Sequence, residues 1–84
     1  DDPKGYFEGA LSLKNVISDQ VNTTIELEGG SIWNIAPEDQ FRVTSWKMHD
    51  RIRIENNRDF LYPITLHNLD TGEKARASKK KIRR

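Results

Sequence analysis

The chain of 84 residues has no cysteine, only three prolines and no long apolar run. The absence of cysteine excludes disulfide bonds and metal sites built on thiolates. No stretch approaches the roughly 20 apolar residues that a membrane-spanning helix requires. Phosphate-binding glycine loops, nucleophile elbows and metal-ligand spacings are also missing. We therefore expect one small domain that is not an enzyme and binds no cofactor or metal.

Few residues of catalytic type remain to be considered. His49 and His67 lie in different segments, and His49 beside Asp50 does not form a pair because neighbouring side chains in extended chain point opposite ways. Glu38 and Asp39 follow a proline, where acidic residues favour the start of a helix more often than acid–base chemistry. Neither group predicts a catalytic site.

Charge is distributed unevenly along the chain. Five of the 14 basic residues lie in the last six positions, which leaves nine against 13 acidic residues elsewhere, a net charge of −4. This asymmetry predicts a mildly acidic body with a basic tail that meets anions. The candidate anion contacts are the five basic residues of the tail: Lys79, Lys80, Lys81, Arg83 and Arg84.

Residues 23–37 read as a β-hairpin, with two alternating runs around a glycine pair. A three-residue loop, 28–30, places Ile25 opposite Trp33 and gathers the large apolar side chains on one face. Such a loop is a type I turn that ends in a left-handed residue, a position suited to Gly30. We expect Trp33 to be buried and Gly30 to have a positive φ.

The other segments are also short and extended. Alternating residues predict strands at 9–17, 50–55 and 62–68, and Asn15 interrupts the first of them. A loop at 69–72 with Gly72 at a positive φ would pair Leu66 with Ala75 and Ile64 with Ala77. Residues 36–40 predict one helical turn, after which Phe41 and Val43 suggest a return to extended chain.

These elements predict an all-β fold, a small antiparallel barrel of five to six short strands with one short helical turn. The barrel is expected to be SH3-like or OB-like, with a two-layer half-barrel as the alternative. The domain is expected to span residues 9–78, between a flexible leader at 1–8 and a disordered basic tail at 79–84.

Three motifs resemble a group of small bacterial all-β proteins: Gly-Ser-Ile-Trp-Asn-Ile-Ala-Pro at 30–37, the run at 50–54, and Asn-Leu-Asp-Thr-Gly-Glu at 68–73. The chain departs from their usual pattern at Gly29, where an acidic residue is common, and at His49, where glycine is common. The resemblance implies a small barrel and an exported or periplasmic protein, with a cytoplasmic location left open. It implies no activity.

Two functions from different classes remain open. The first is a non-catalytic protein-interaction or structural module that uses a sheet edge or a groove to bind a protein partner. The alternative is a nucleic-acid-binding barrel, in which the tail binds the phosphate backbone weakly and without sequence preference. The structural residues singled out by the sequence are Trp33, Gly30 and Gly72.

Overall fold

The computed structural model describes residues 10–19 and 21–81. These residues form six strands and one short helical segment, which lies between the third and fourth strands. The strands are β1 (Leu11–Ser18), β2 (Thr23–Leu27), β3 (Ile32–Ile35), β4 (Arg51–Asn56), β5 (Ile64–Asn68) and β6 (Lys74–Lys79). The helical segment is a 3₁₀ turn (Pro37–Asp39) that continues as α1 (Gln40–Val43).

The strands close into a barrel in the order β1-β2-β3-β6-β5-β4, and every neighbouring pair is antiparallel. The expected small antiparallel barrel with a helical turn is thus confirmed, and the half-barrel alternative is not the architecture adopted. Among the residues described, no helix has the length and apolar character needed to cross a membrane.

The hairpin formed by β2 and β3 has the predicted register. Ile25 lies opposite Trp33, and the N–H of Leu27 donates to the carbonyl of Ser31. The predicted turn type was wrong, however. Gly29 and Gly30 both have φ of +98°, and the N–H of Gly30 donates to the carbonyl of Leu27. A positive φ at the third position makes this a type II turn, which favours glycine there.

The hairpin formed by β5 and β6 also matches its prediction. Leu66 pairs with Ala75 and Ile64 pairs with Ala77, and Gly72 has φ of +83° in the connecting loop. Large side chains on β5 therefore face small ones on β6 inside the barrel. This alternation lets a narrow barrel close without overcrowding its interior.

The interior of the barrel is a single apolar cluster. Trp33 is only 2% exposed, as the sequence predicted, and it belongs to this cluster together with Ile25, Ile35 and Ile54. Trp33 also donates its indole N–H to the hydroxyl of Ser31, so its polar atom has a partner. The remaining members come from the other five strands, from the end of α1 and from the segment after it: Leu13, Leu27, Val43, Trp46, Ile52, Ile64, Leu66, Ala75 and Ala77.

Two local expectations were wrong. The chain does not return to extended form at Phe41, because α1 continues to Val43. Val43 and Trp46, which are three residues apart, are buried, whereas Phe41 is exposed. The spacing of Phe41 and Val43 predicted a strand, with a repeat of two residues, whereas the segment is helical.

The body of the fold also extends past residue 78: Lys79 ends β6, and the N–H of Lys80 donates to the carbonyl of Ile32. The predicted leader at 1–8 lies outside the described residues.

Candidate interaction surface along the first strand

The first strand is shared between two neighbours, and only one of them follows it to its end. β1 pairs with β2 from Leu13 to Ser18, but with β4 only at Leu11 and Ser12. A bulge at Lys14 shifts the β1–β2 register, close to the interruption that the sequence predicted at Asn15. Bulges bend a strand and increase its twist, so β1 diverges from the line of β4 beyond this point.

The direction of the β2 backbone groups follows from the hairpin turn. The N–H of Leu27 faces β3, since it donates to the carbonyl of Ser31. Backbone groups alternate sides along a strand, so those of Ile25 face β3 as well, and those of Glu26 and Thr24 face β1. The N–H of Glu28 confirms this alternation, because it donates to Ser12 on β1.

The free edge of β1 can then be assigned. Asn15 pairs with Glu26 and Ile17 pairs with Thr24, so their backbone groups face β2. The N–H and C=O groups of Val16 and Ser18 therefore point away from β2. Within residues 10–19 and 21–81, no strand pairs with β1 on that side beyond Ser12. We call this stretch of backbone, from Val16 to Ser18, the free edge.

A cleft separates the free edge from the segment that links α1 to β4. The two sides of the cleft are joined at one end only, where Leu13 donates to the carbonyl of Asp50 and accepts from the N–H of His49, both at 2.8 Å. From this closed end the cleft extends along β1 as far as Ser18 and has a volume of about 380 Å³. Its lining comes from β1 and from alternate residues of the facing segment: Lys14, Asn15, Val16, Ser18, Thr44, Trp46 and Met48.

The floor of the cleft is apolar. Val16 packs against the core, and Trp46 is buried with its indole N–H donating to Glu73 at 2.9 Å. Met48, in contrast, is 62% exposed at the closed end, and it also lines a neighbouring depression of about 600 Å³. A flexible thioether at such a place adapts to differently shaped apolar groups. The cleft thus combines unpaired backbone with an adaptable apolar surface.

His49 holds the closed end in a strained conformation. The carbonyl of Lys47 accepts the N–H of Asp50, and His49, at the third position of this turn, has φ of +78°. This is a left-handed conformation that suits glycine. Asp50 compensates by accepting the N–H of Lys47 and the side-chain amide of Asn68, each at 2.9 Å. The departure from glycine at His49, noted in the sequence, therefore falls where glycine would be least strained.

Among the residues that the structure describes, Lys14 is the only charged side chain that lines the cleft. Its ammonium lies 3.9 Å from the carboxylate of Glu26, and its side chain is 65% exposed. An ion pair this long and this exposed contributes little to stability. The Lys14 ammonium therefore remains available to a second carboxylate.

The opposite side of the barrel uses its charges internally. Arg76 on β6 binds Asp39 through its Nε at 3.1 Å and Asp59 through its Nη1 at 2.8 Å, and it also contacts Glu38. Glu38 and Asp39 stand in the first helical turn, as predicted, and they join it to β6. The backbone N–H of Tyr62 and the Arg76 guanidinium lower the pKa of Asp59.

Two more ion pairs lie on β4 and β5. Arg51 and Asp70 are joined by hydrogen bonds of 2.8 to 3.3 Å, and the Arg51 side chain lowers the pKa of Asp70. Burial opposes the ionisation of Glu55, but hydrogen bonds from His67 and Arg53 outweigh it and lower the pKa of that carboxyl. Arg51 and Arg53 are therefore both engaged with carboxylates of the same surface.

The two histidines have separate roles. His67 is hydrogen-bonded to Glu55 at 3.1 Å, while His49 forms the turn described above and shares no hydrogen bond with it. Within the part of the chain that the structure describes, no group of three potential ligands could hold a metal ion, and no buried polar side-chain atom lacks a partner.

The basic residues of the tail are only partly described. Lys79, Lys80 and Lys81 line a depression of about 490 Å³ together with Ser31, whereas Arg83 and Arg84 lie outside the described residues. No carboxylate within residues 10–19 and 21–81 lies within 4 Å of these three ammonium groups. The predicted anion contacts and the β1 cleft therefore form two separate surfaces.

The sequence did not identify the β1 cleft. Its elements come from distant positions, and only the barrel topology brings Val16 and Met48 to the same place. The one local signal was the interruption of the first strand, which predicted a bulge without saying which neighbour the strand would leave. Comparison with family models, with curated proteins and with solved structures found no match to this chain.

Proposed function

We propose that this chain is a non-catalytic protein-interaction module that binds an extended segment of a partner along the free edge of β1. The observation that carries the proposal is the outward direction of the backbone groups of Val16 and Ser18, beside a cleft whose lining includes apolar side chains among polar ones. A strand added at an open sheet edge gains main-chain hydrogen bonds, and the side chains beneath it give selectivity.

The surroundings of the edge support a selective rather than an indiscriminate contact. Natural proteins protect open edges with short free stretches, bulges and lysines, and β1 has all three near Lys14. The free edges of two copies of this chain would therefore not pair readily with each other to form a continuous sheet. A single extended peptide can enter the cleft between β1 and Met48. A folded domain is wider, and the segment on the far side of the cleft would block it.

The test uses the full chain and a displayed library of random peptides. Peptides that bind should perturb the NMR signals of the Val16 and Ser18 amides and slow their hydrogen exchange, because both groups become hydrogen-bonded. Val16→Pro removes one donor of the free edge and should weaken binding. Ile17→Ser is the matched control, since Ile17 does not line the cleft and its backbone faces β2.

Two results would contradict this function. One is a set of peptides whose binding maps to another surface, such as the outer face of β4 and β5. The other is failure to enrich any peptide that binds at concentrations up to about 1 mM, an affinity that even weak strand addition should exceed.

A second candidate function follows from Lys79, Lys80 and Lys81. These ammonium groups lie together and have no carboxylate neighbour among the described residues, so phosphate backbone is a suitable ligand. Such binding should be weak, insensitive to sequence and lost at moderate salt. Titration of oligonucleotides at two salt concentrations, with the full chain and with Lys79, Lys80 and Lys81 changed to glutamine, measures it. Salt-resistant and sequence-selective binding by the glutamine variant would make nucleic acid the primary partner.

We keep the SH3-like or OB-like type of the barrel as a proposal.

A further inference from the structure

The cleft beside β1 has a direction. At one end it is closed by the two hydrogen bonds of Leu13 with His49 and Asp50, and at the other end it opens past Ser18 and Thr44. A peptide that enters from the open side cannot continue in a straight line past Leu13, because main-chain hydrogen bonds already occupy that space. The closed end therefore suits a segment that terminates there.

The charge at the closed end indicates which terminus fits. Lys14 follows Leu13 directly, and within residues 10–19 and 21–81 no other charged residue lines this cleft. Its pairing with Glu26, at 3.9 Å and largely in solvent, leaves its ammonium able to contact another anion. Glu26 itself does not line the cleft, so within the lining a terminal carboxylate complements the charge of Lys14 and a terminal ammonium does not.

The length of the free edge and the alternation of its backbone groups determine how many peptide residues bind and which of their side chains face the cleft. From Lys14 to Ser18 an extended strand spans about 13 Å, the length of roughly four residues. The residues opposite Val16 and Ser18 would share hydrogen bonds with them and point their side chains toward the cleft floor, where Trp46 and Met48 lie. The residues between them would face solvent on the outer side.

From these observations we infer that the partner is the C-terminus of a protein chain, bound antiparallel to β1 with its carboxylate beside Lys14 and alternate apolar residues in the cleft. This inference rests on the function proposed above. It adds the direction of the bound segment, the terminal carboxylate and the alternation of apolar and polar residues. Antiparallel pairing also agrees with every other strand pair in the barrel.

The experiment compares forms of the same peptide. A library displayed with free C-termini is selected against the full chain, and the best sequence is synthesised as the free acid, as the C-terminal amide and with two extra residues after its last position. The free acid should bind roughly two- to fivefold more tightly than the amide, the factor expected for one solvent-accessible charge pair. The extended form should bind less tightly still, because the closed end excludes it.

Variants of the chain test whether Lys14 is the residue that binds the terminal carboxylate of the peptide. Lys14→Met should weaken binding of the free acid about as much as amidation does, and it should leave the affinity of the amide unchanged. Lys47→Met is the matched control, since Lys47 is exposed and does not line the cleft. Thermal melts of both variants should resemble that of the unaltered chain, because neither lysine is buried.

The outcomes separate this inference from the function beneath it. If amide, extended and free-acid peptides bind equally and still perturb Val16 and Ser18, strand addition stands and the C-terminal assignment is wrong. If Lys14→Met does not change the preference for the free acid, the carboxylate is read elsewhere, and the inference is likewise overturned. If the selected peptides map away from β1, both the inference and the proposed function fail.

Discussion

The barrel is closed differently on its two sides. β4 and β5 pair at five positions, whereas β1 and β4 pair at only two before the bulge at Lys14 separates them. The side formed by β4, β5 and β6 also carries the strongest ion pairs, so its backbone and its charges are both satisfied internally. We call it the complete side, and the β1 cleft with its facing segment the open side. The contrast shows that one small barrel can pair a strand fully on one side and, among the residues described, leave part of a strand edge without a partner on another.

Trp33→Ala should give the largest effect, because it removes the more deeply buried of the two tryptophans in the common core. We expect a loss of about 3–5 kcal/mol in the free energy of unfolding, a large part of the total for a domain of this size. Urea unfolding monitored by circular dichroism measures it. A cooperative transition close to that of the unaltered chain would mean that Trp33 does not contribute to the core.

Acidification should weaken the complete side next. The pKa values of Glu55, Asp59 and Asp70 are lowered in the folded chain, so each carboxyl contributes stability above its unfolded pKa, near 4. That contribution is lost as the pH falls through the lower folded pKa. The urea midpoint should therefore fall between about pH 5 and pH 2. Asp59→Asn should reduce this dependence, and an unchanged dependence would contradict the assigned role of Asp59.

The complete side also contains a turn that needs glycine. Gly72 has φ of +83°, and a Cβ there would meet no atom within 4 Å, so any penalty comes from the backbone alone. Gly72→Val should cost about 1–2 kcal/mol. Gly72→Asn is the control and should cost less, since asparagine tolerates the left-handed region. Equal losses in the two variants, measured by urea unfolding, would indicate that crowding rather than backbone conformation causes the penalty.

Most of the complete side could be predicted from the sequence. Alternation located the strands, and the requirement for one apolar face placed Ile25 opposite Trp33. The four-residue loop that ends at Gly72 likewise predicted that Leu66 lies opposite Ala75. These pairings are local, because each joins strands that follow one another in the chain, and turn chemistry specifies them directly.

The open side could not be predicted in the same way. Its cleft depends on the non-local pairing of β1 with β4, which no turn specifies, and on the burial of Trp46 beneath it. Spacing along a short segment did not distinguish a helical turn from a strand at Phe41 and Val43. The engagement of Arg76 with Asp39 and Asp59 also required the barrel, since 37 and 17 residues separate these partners in sequence.

On the open side a substitution should stabilise the fold. His49 has φ of +78°, and glycine adopts this conformation without a clash. His49→Gly should raise the free energy of unfolding by about 1 kcal/mol, after allowance for the greater freedom of glycine in the unfolded chain. His49→Val, which keeps a Cβ and adds branching, should lower it. A loss of stability in the glycine variant would show that the His49 side chain itself stabilises the closed end of the cleft.

The smallest effect involves no change in stability and tests the open edge most directly. Amide groups of Asn15 and Ile17 face β2 and should exchange slowly with solvent, whereas those of Val16 and Ser18 should exchange much faster. Hydrogen exchange followed by NMR on the unliganded full chain resolves the four amides individually. The amides of β5 are the internal reference, because β5 is paired on both sides and should be protected throughout. Slow exchange at all four β1 positions would mean that another segment already covers the edge. In that case the two sides of the barrel would be equally complete, and the cleft would have no unpaired backbone to offer a partner.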